Sequence, residues 1–223
     1  MPTILITGAN RGIGLALAKH YRSRGDDVIG LCRNGSEALA RTGARVEVGV
    51  DVTDGPALSA LAQRLGDTRI DVLICNAGIL SKEALGDIDE DGFERMRKQF
   101  EVNSIGPLRT VQALSGHLTR GAKVGIVTSR MGSVSDNDSG GYYGYRASKA
   151  AVNAIGKSLA LDLKDRGIAV MLLHPGYVQT EMVGGGGDIS PDAAAAQLAE
   201  RLDALTLAQS GSFHHAKGDA LPW

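Results

Sequence analysis

A tyrosine and a lysine lie four residues apart within Tyr145–Arg166, a segment whose pattern predicts a helix. Tyr145 and Lys149 would therefore share one face of that helix. A free tyrosine has a pKa of about 10 and is a poor acid–base catalyst at neutral pH. A neighbouring ammonium group favours the phenolate and lowers that pKa, so this pair suits proton transfer. Such a spacing also arises by chance, and the pair alone does not define a site.

A glycine-rich turn, Thr7–Gly14, follows the first apolar run and precedes a helical pattern. A strand-to-helix turn presents free backbone N–H groups at the positive end of a helix, where phosphates bind. In this role Gly8 would form the turn, Gly12 would admit a pyrophosphate and Gly14 would pack the helix on the strand. Three residues separate the first two glycines, unlike the usual G-x-G-x-x-G, and an ordinary tight turn is the alternative. We expect nucleotide contacts from Gly8, Asn10, Arg11, Gly12, Ile13 and Gly14.

The end of the second predicted strand indicates which nucleotide binds. An acidic residue there would hydrogen-bond the adenosine ribose and favour NAD. The chain instead has Cys32 followed by Arg33, with Arg11 in the glycine turn. Two guanidinium groups suit a 2′-phosphate, so we predict NADP rather than NAD. The alternative is that Arg33 is a solvated loop charge.

The elements that must position these residues alternate between strands and helices, which predicts an α/β domain spanning residues 1–223. Its sheet would be parallel and doubly wound, with helices on both faces. The predicted strands are Thr3–Thr7, Asp27–Cys32, Arg45–Val50, Val72–Cys75, Lys123–Thr128, Ala169–His174 and Ser212–His215. The predicted helices are Ile13–Arg24, Ser36–Thr42, Gly55–Leu65, Asp91–Leu118, Tyr145–Arg166 and one that begins with Ser190 and Pro191.

Composition limits the other classes of function. The 223 residues carry 24 Lys and Arg against 25 Asp and Glu, so no basic patch for nucleic acid is expected. No apolar run is long enough to span a membrane and no signal-peptide pattern opens the chain, so we expect a cytoplasmic protein. Cys32 and Cys75 would lie about 10 Å apart, too far for a disulfide. His174, His214 and His215 lack partnering Cys or carboxylate ligands, so no metal site is expected.

These motifs together resemble the classical short-chain dehydrogenase/reductases. The segments Gly140–Lys149 and Leu221-Pro222-Trp223 resemble a narrower branch, the sniffer-like carbonyl reductases and C-factor-like proteins. The matching segments run in the family's order: Thr7–Gly14, Asn76-Ala77-Gly78, Asn103, Ser129, Tyr145 with Lys149, and Pro175-Gly176. The resemblance implies a Rossmann-type sheet of about seven strands. It also implies hydride transfer between NADP and a carbonyl or alcohol substrate.

The resemblance assigns roles to the matching residues. Tyr145 would be the general acid or base, Lys149 would lower its pKa and hold the nicotinamide ribose, and Ser129 would orient the substrate oxygen. Asn103 would hold a water that links Lys149 to solvent. The remaining cofactor contacts would be Asp51 and Val52 at the adenine, Asn76, Ala77 and Gly78 beside the fourth strand, and Pro175, Gly176, Val178 and Thr180 along the nicotinamide.

Two segments depart from the family pattern. The stretch between Ser129 and Tyr145 is about three residues longer than usual and carries the polar sequence Asp136–Ser139. The substrate lid, near residues 181–190, is short, contains four consecutive glycines and is almost without side chains. The substrate pocket is therefore expected to have a hydrophilic loop on one side and a mobile lid on the other.

Two alternative functions are weighed against the same residues, and the assembly state is a further expectation. A C-factor-type signalling protein would bind the cofactor with little turnover, and an intact Tyr145–Lys149 pair argues against it. A sugar-nucleotide epimerase would need about another hundred residues for its substrate domain. The resemblance also implies a homodimer or homotetramer formed through the helices Asp91–Leu118 and Tyr145–Arg166, although their small residues suit intramolecular packing equally well.

Overall fold

The computed structural model describes residues 1–223 and contains one seven-stranded sheet. All strand pairs are parallel and the strand order is β3-β2-β1-β4-β5-β6-β7. The strands are β1 Thr3–Thr7, β2 Asp27–Leu31, β3 Arg45–Glu47, β4 Ile70–Cys75, β5 Leu118–Val127, β6 Ala169–His174 and β7 Ser212–His215. The helices are α1 Gly12–Ser23, α2 Glu37–Ala40, α3 Gly55–Leu65, α4 Glu90–Phe100, α5 Gly106–Leu114, α6 Tyr143–Asp162 and α7 Pro191–Ala204. The predicted doubly wound α/β fold is confirmed.

Two apolar cores lie on opposite faces of the sheet. Successive residues of β1 point to opposite sides, so Leu5 belongs to one core while Ile4 and Ile6 belong to the other. The first core packs against α3, α5 and α6, and the second packs against α1 and α7. Covering both faces in this way buries β1 and β4 at the centre of the sheet.

The chain reverses its direction of winding between β1 and β4. β2 and β3 extend the sheet on one side of β1, whereas β4 through β7 extend it on the other. The loops that leave β1 and β4 therefore diverge at the carboxyl edge and open a crevice there, the usual ligand position in doubly wound sheets.

The predicted helix over Asp91–Leu118 is wrong in its extent. α4 ends at Phe100, a π-helical turn covers Glu101–Ile105, and α5 ends at Leu114 before β5 begins at Leu118 rather than Lys123. Pro107 in the first turn of α5 has no N–H to donate, which favours an irregular junction at this point. β5 begins early because Leu118 pairs with Ile70 of β4, a contact that side-chain periodicity does not reveal.

The bounds of α3 agree with the prediction, and Ser190 caps α7 by accepting a hydrogen bond from the Ala193 N–H at 3.1 Å. Cys32 and Cys75 are both free and buried. None of the helices combines the length and the apolar character that crossing a bilayer requires.

Candidate active site

A cleft of about 1520 Å³ opens at the carboxyl edge of the sheet. It runs from the glycine turn after β1, past the ends of β2 and β4, to the ends of β5 and β6 and the first turns of α6. Of the residues predicted to form the site, those that line the cleft are Gly8, Asn10, Arg11, Gly12, Ile13, Arg33, Asp51, Val52, Asn76, Ala77, Gly78, Ser129, Tyr145, Lys149, Pro175, Gly176, Val178 and Thr180. Two others, Gly14 and Asn103, lie behind its wall.

The glycine turn has the geometry of an anion cradle. Gly8 and Gly12 have φ angles of +67° and +53°, a region that side-chain-bearing residues rarely adopt. A Cβ on Gly14 would overlap the Gly8 carbonyl oxygen and lie 2.6 Å from the Asn76 Nδ2, so only glycine fits there. The first turn of α1 has no side-chain cap and no acidic residue. Its free N–H groups therefore fit a pyrophosphate.

A threonine that sequence analysis did not assign to the site ties the two central strands together. The Thr7 hydroxyl oxygen accepts hydrogen bonds from the backbone N–H groups of Asn76 and Ala77, each at 3.0 Å. The Asn76 Nδ2 in turn donates to the carbonyl oxygens of Thr7 and Gly8 at 3.0 and 3.2 Å. These four bonds hold the Asn76–Gly78 segment against the glycine turn. The position of a threonine at the end of β1 is the only sequence signal for this role.

Both arginines near the expected 2′-phosphate position face carboxylates. Arg33 lies 3.9 Å from the Asp51 carboxylate, and Arg11 lies 2.6 Å from the carboxylate of Glu181. Although burial raises the pKa of Asp51, hydrogen bonds from Thr53 and the charge of Arg33 hold it below its usual value. The predicted preference for NADP depends on these two guanidinium groups, and each has a carboxylate within ion-pair distance in the structure. Both arginine side chains are more than half exposed, and ion pairs at such exposed positions contribute little to stability. A phosphate can therefore take the place of either carboxylate.

Three candidate catalytic side chains meet at the inner end of the cleft. Tyr145 and Lys149 project from one face of α6 and are 8% and 4% exposed. Ser129 follows β5, and its side chain caps the short helical turn Arg130–Gly132 by accepting from the Met131 N–H at 3.2 Å. The Ser129 side chain lies close enough to the Tyr145 phenol to affect its pKa. The Lys149 Nζ lies 5.7 Å from the centroid of the Tyr145 ring and donates to the Val127 carbonyl oxygen at 3.0 Å.

Burial controls the protonation of this pair. It raises the pKa of Tyr145 to about 12, and the Ser129 side chain acts in the opposite direction. It also lowers the pKa of Lys149 to about 8. The expected lowering of the Tyr145 pKa by Lys149 is therefore not produced by the protein groups. The reason is that desolvation disfavours both the phenolate and the ammonium, and the ammonium is directed at a carbonyl group.

Asn103 lies in the π-helical turn and is 1% exposed. Its Nδ2 donates to the Ile79 carbonyl at 2.8 Å and to the Ser148 hydroxyl at 3.0 Å, while its Oδ1 accepts from the Ile79 N–H at 2.8 Å. Both hydrogens of the Asn103 amide are thus engaged by the protein, so the expected water would have to bind an oxygen atom of Asn103.

The loop after β6 closes the cleft from the other side. A Cβ on Gly12 would lie 3.5 Å from the Thr180 methyl group, so this loop passes directly over the glycine turn. The Gln179 N–H donates to the Ile189 carbonyl at 3.0 Å, and the Asp188 N–H donates to the Tyr177 carbonyl at 2.7 Å. The side chains of this loop that line the cleft include Tyr177, Met182 and Val183. Within residues 181–190, the side chains of Glu181, Met182 and Val183 line the cleft and the four glycines do not, so the lid poor in side chains stays a prediction.

The histidines at the ends of β6 and β7 pack on each other. The rings of His174 and His215 meet edge to face with centroids 5.0 Å apart. Burial lowers the pKa of His174 to about 4, with smaller contributions from His215 and Arg130. No group of three or more His, Cys, Asp or Glu side chains comes together as a metal site.

Comparisons with known proteins agree with this geometry. The family model described as short chain dehydrogenase matches residues 2–187. The chain is 43% identical to the 1-hydroxy-2-glutathionyl-2-methyl-3-butene dehydrogenase of Rhodococcus sp. strain AD45, over the full length of both chains. It is 41% identical to the C-signal of Myxococcus xanthus over 74% of this chain and all of that protein. The crystal structure of NADPH-bound carbonyl reductase from chicken fatty liver superimposes with a TM-score of 0.89 at 27% identity, covering 100% of this chain and 99% of that one.

The fold and the cleft define an NAD(P)-dependent oxidoreductase. The chain belongs to the short-chain dehydrogenase/reductase family, as its resemblance to that family predicts.

Proposed function

We propose that this protein uses NADP to interconvert a carbonyl compound and its alcohol, with Tyr145 as the general acid and base. One observation carries the proposal: Ser129, Tyr145 and Lys149 converge at the inner end of the same cleft that begins at the glycine turn. A proton donor, a hydrogen-bonding hydroxyl and an anion cradle are the parts that such a reaction requires.

In this proposal the N–H groups at the start of α1 bind the pyrophosphate, and Lys149 binds the nicotinamide ribose. When bound, the nicotinamide supplies or accepts the hydride. The remaining contacts are Asp51 and Val52 at the adenine, Arg11 and Arg33 at the 2′-phosphate, and Asn76, Ala77, Gly78, Pro175, Gly176, Val178 and Thr180 along the ribose and the ring.

The protein groups would control one proton. In the reductive direction the substrate carbon gains a hydride while the Tyr145 O–H gives its proton to the substrate oxygen. The Ser129 hydroxyl, which lines the same cleft as Tyr145, would hold that oxygen in place. In its protonated form, Lys149 would stabilise the Tyr145 phenolate that remains. A water at the Asn103 carbonyl would then return a proton from solvent to Tyr145.

Preference for NADP over NAD belongs to this proposal as well. It is supported by Arg11 and Arg33 at the cleft and by the NADPH held by the chicken enzyme. The protein is titrated with NADPH and, separately, with NADH, and binding is followed by the fluorescence of Trp223 or of the bound cofactor. The two titrations give the two dissociation constants. We expect NADPH to bind at least about tenfold more tightly, and equal affinities would contradict the preference.

The substrate would be a small alcohol or carbonyl compound with a negatively charged portion. The Rhodococcus relative is named for an alcohol that carries a glutathionyl group, which contains two carboxylates. In this chain Lys82, Arg130 and Arg146 line the outer cleft. Asp136 pairs with Arg130, whereas Arg146 bonds only the Ser139 hydroxyl and the Gly140 carbonyl. Arg146 therefore retains a charge that an anionic substrate can use.

A substrate panel tests the proposal. The purified protein is mixed with NADPH and aldehydes, ketones, quinones and a glutathionyl aldehyde, and NADPH oxidation is followed by absorbance. We expect turnover that Tyr145→Phe reduces by about a thousandfold or more, as for loss of a general acid. If no compound is reduced faster by the wild type than by Tyr145→Phe, the proposal is wrong.

A second candidate function is signalling, which the similarity to C-signal favours. A signalling protein would need to bind the cofactor but not to turn it over. In source cells that lack the protein, Tyr145→Phe would then restore the phenotype, whereas a Gly14 variant that cannot bind nucleotide would not. Failure of both variants would favour the enzymatic function.

The predicted homo-oligomer also remains a proposal. The helices expected at the interface carry large exposed apolar side chains, namely Phe93, Leu108, Tyr143 and Leu161. Light scattering measures the assembly state, and we expect a dimer or tetramer that Leu161→Lys weakens. A monomeric wild-type protein would contradict this proposal.

A further inference from the structure

The helix that carries Tyr145 begins without a cap of its own. Its N-cap residue, Tyr142, has φ +53° and ψ 40° and makes no side-chain bond to the first turn. Tyr142 is the only residue other than glycine with a positive φ angle in the chain. Because this conformation is unfavourable for a bulky residue, another part of the protein must hold the start of α6.

Glu83, from the loop between β4 and α4, provides that hold at two points. Its carboxylate Oε2 accepts the Gly144 N–H at 3.1 Å, and its backbone carbonyl accepts the Tyr142 N–H at 2.9 Å. Glu83 is only 6% exposed. A buried carboxylate at the N-terminus of a helix is favoured both by hydrogen bonding and by the helix dipole.

The Glu83 carboxylate is itself fixed by neutral donors. Its Oε1 accepts from the Ser81 hydroxyl at 2.6 Å and from the Gln99 Nε2 at 2.8 Å. The Gln99 Oε1 accepts the Ser81 N–H at 3.0 Å, so the orientation of its amide is determined. A Cβ on Gly144 would overlap the same Gln99 Nε2, which leaves the first turn of α6 no room to move toward this network.

We infer that Glu83 is a positioning residue for Tyr145. It fixes Gly144 and the first turn of α6, and thereby the place of the phenol beside Ser129. Burying a carboxylate without a basic partner costs free energy, whereas an apolar side chain could pack in the same loop without that cost. Three donors converging on it instead specify one position for the helix start. This inference rests on the proposed function of Tyr145, and Glu83 acts only through Gly144.

Two substitutions and a control test the inference in the full-length protein. Glu83→Ala removes the acceptor, whereas Glu83→Gln keeps one oxygen that can still accept from Gly144. The control is Asp89→Ala, because Asp89 caps α4 by accepting from the Gly92 N–H at 2.7 Å and does not contact α6 through that bond. For each variant we would measure Tm, the NADPH Kd, and kcat and KM at a temperature well below Tm.

We expect Glu83→Ala to lower kcat by about a hundredfold, the effect of a misplaced catalytic group, with little change in NADPH Kd. Glu83→Gln should recover part of the loss, and Asp89→Ala should lower Tm without lowering kcat. Glu83→Ala with reduced Tm and wild-type kcat would overturn the inference. If Glu83→Ala does not fold, Glu83→Gln decides, because the new amide has one oxygen for the two N–H donors of Gly144 and Gln99. A lower kcat at unchanged Kd supports the inference, and a wild-type kcat overturns it.

Tyr145→Phe, measured in the same assay, separates this inference from the proposed function. If Tyr145→Phe keeps its turnover, the proposed function is wrong. If Tyr145→Phe is inactive and both Glu83 variants are fully active, only the positioning of α6 by Glu83 is wrong.

Discussion

Replacing Lys149 by methionine should change how stability depends on pH. Lys149 is 4% exposed, and burial lowers its pKa from 10.5 to about 8. Below about pH 8 the folded protein must bury the ammonium, whereas above it the amine is neutral in the folded state but still protonated in the unfolded chain. The folded state therefore gains stability as the pH rises from about 8 to 10.5. The full shift corresponds to about 3 kcal/mol, of which about 2 kcal/mol develops between pH 7 and pH 9.5.

Urea unfolding of the nucleotide-free protein at several pH values measures this effect. Relative to Lys149→Met, the wild type should gain about 2 kcal/mol of unfolding free energy between pH 7 and pH 9.5. Tyr145 does not interfere, because its pKa is raised to about 12 and its burial costs stability only above pH 10. Lys157→Met is the matched control: Lys157 is exposed on the same helix, so its loss should leave the wild-type pH dependence. If the unfolding free energies of the wild type and Lys149→Met change in parallel with pH, the folded protein does not bury the Lys149 ammonium.

Three further substitutions test the parts of the cleft. Gly14→Ala should cost about 1–3 kcal/mol and abolish NADPH fluorescence enhancement, because its Cβ overlaps the Gly8 carbonyl. Gly55→Ala, where a Cβ meets nothing within 4 Å, is the control, and equal effects at the two positions would contradict the packing argument. Thr7→Val should lower the unfolding free energy by about 1–3 kcal/mol, because the N–H groups of Asn76 and Ala77 lose their acceptor; an unchanged urea midpoint would argue against this. Arg33→Ala should reduce the ratio of NADPH to NADH affinity by about tenfold in a fluorescence titration, and equal weakening of both would exclude a 2′-phosphate contact.

Much of the fold could be predicted because it depends on local patterns. The apolar runs at Thr3–Thr7 and Ala169–His174 and the cap at Ser190 each carry their signal within a few residues. The junction at Glu101–Ile105 could not be predicted in this way. It depends on Pro107, on the bonds of Asn103 to Ile79 and Ser148, and on the sheet register.

The candidate site divides along the same line. Tyr145 and Lys149 could be placed together because residues four apart in a helix share a face. The pairing of Arg11 with Glu181 joins residues 170 positions apart, and the bond from Gly144 to Glu83 spans 61. The pKa of Tyr145 could not be predicted either, because it depends on burial rather than on the spacing to Lys149.

The central claim is that Tyr145 donates the proton that accompanies hydride transfer in this cleft. The most direct measurement is the rate of deuteride transfer from 4-deuterated NADPH to the substrate carbon in a single turnover, at saturating cofactor, for the wild type and Tyr145→Phe. We predict transfer in the wild type and a rate reduced by about a thousandfold or more in Tyr145→Phe, with NADPH Kd little changed. Equal rates of deuteride transfer in the two proteins would contradict the account.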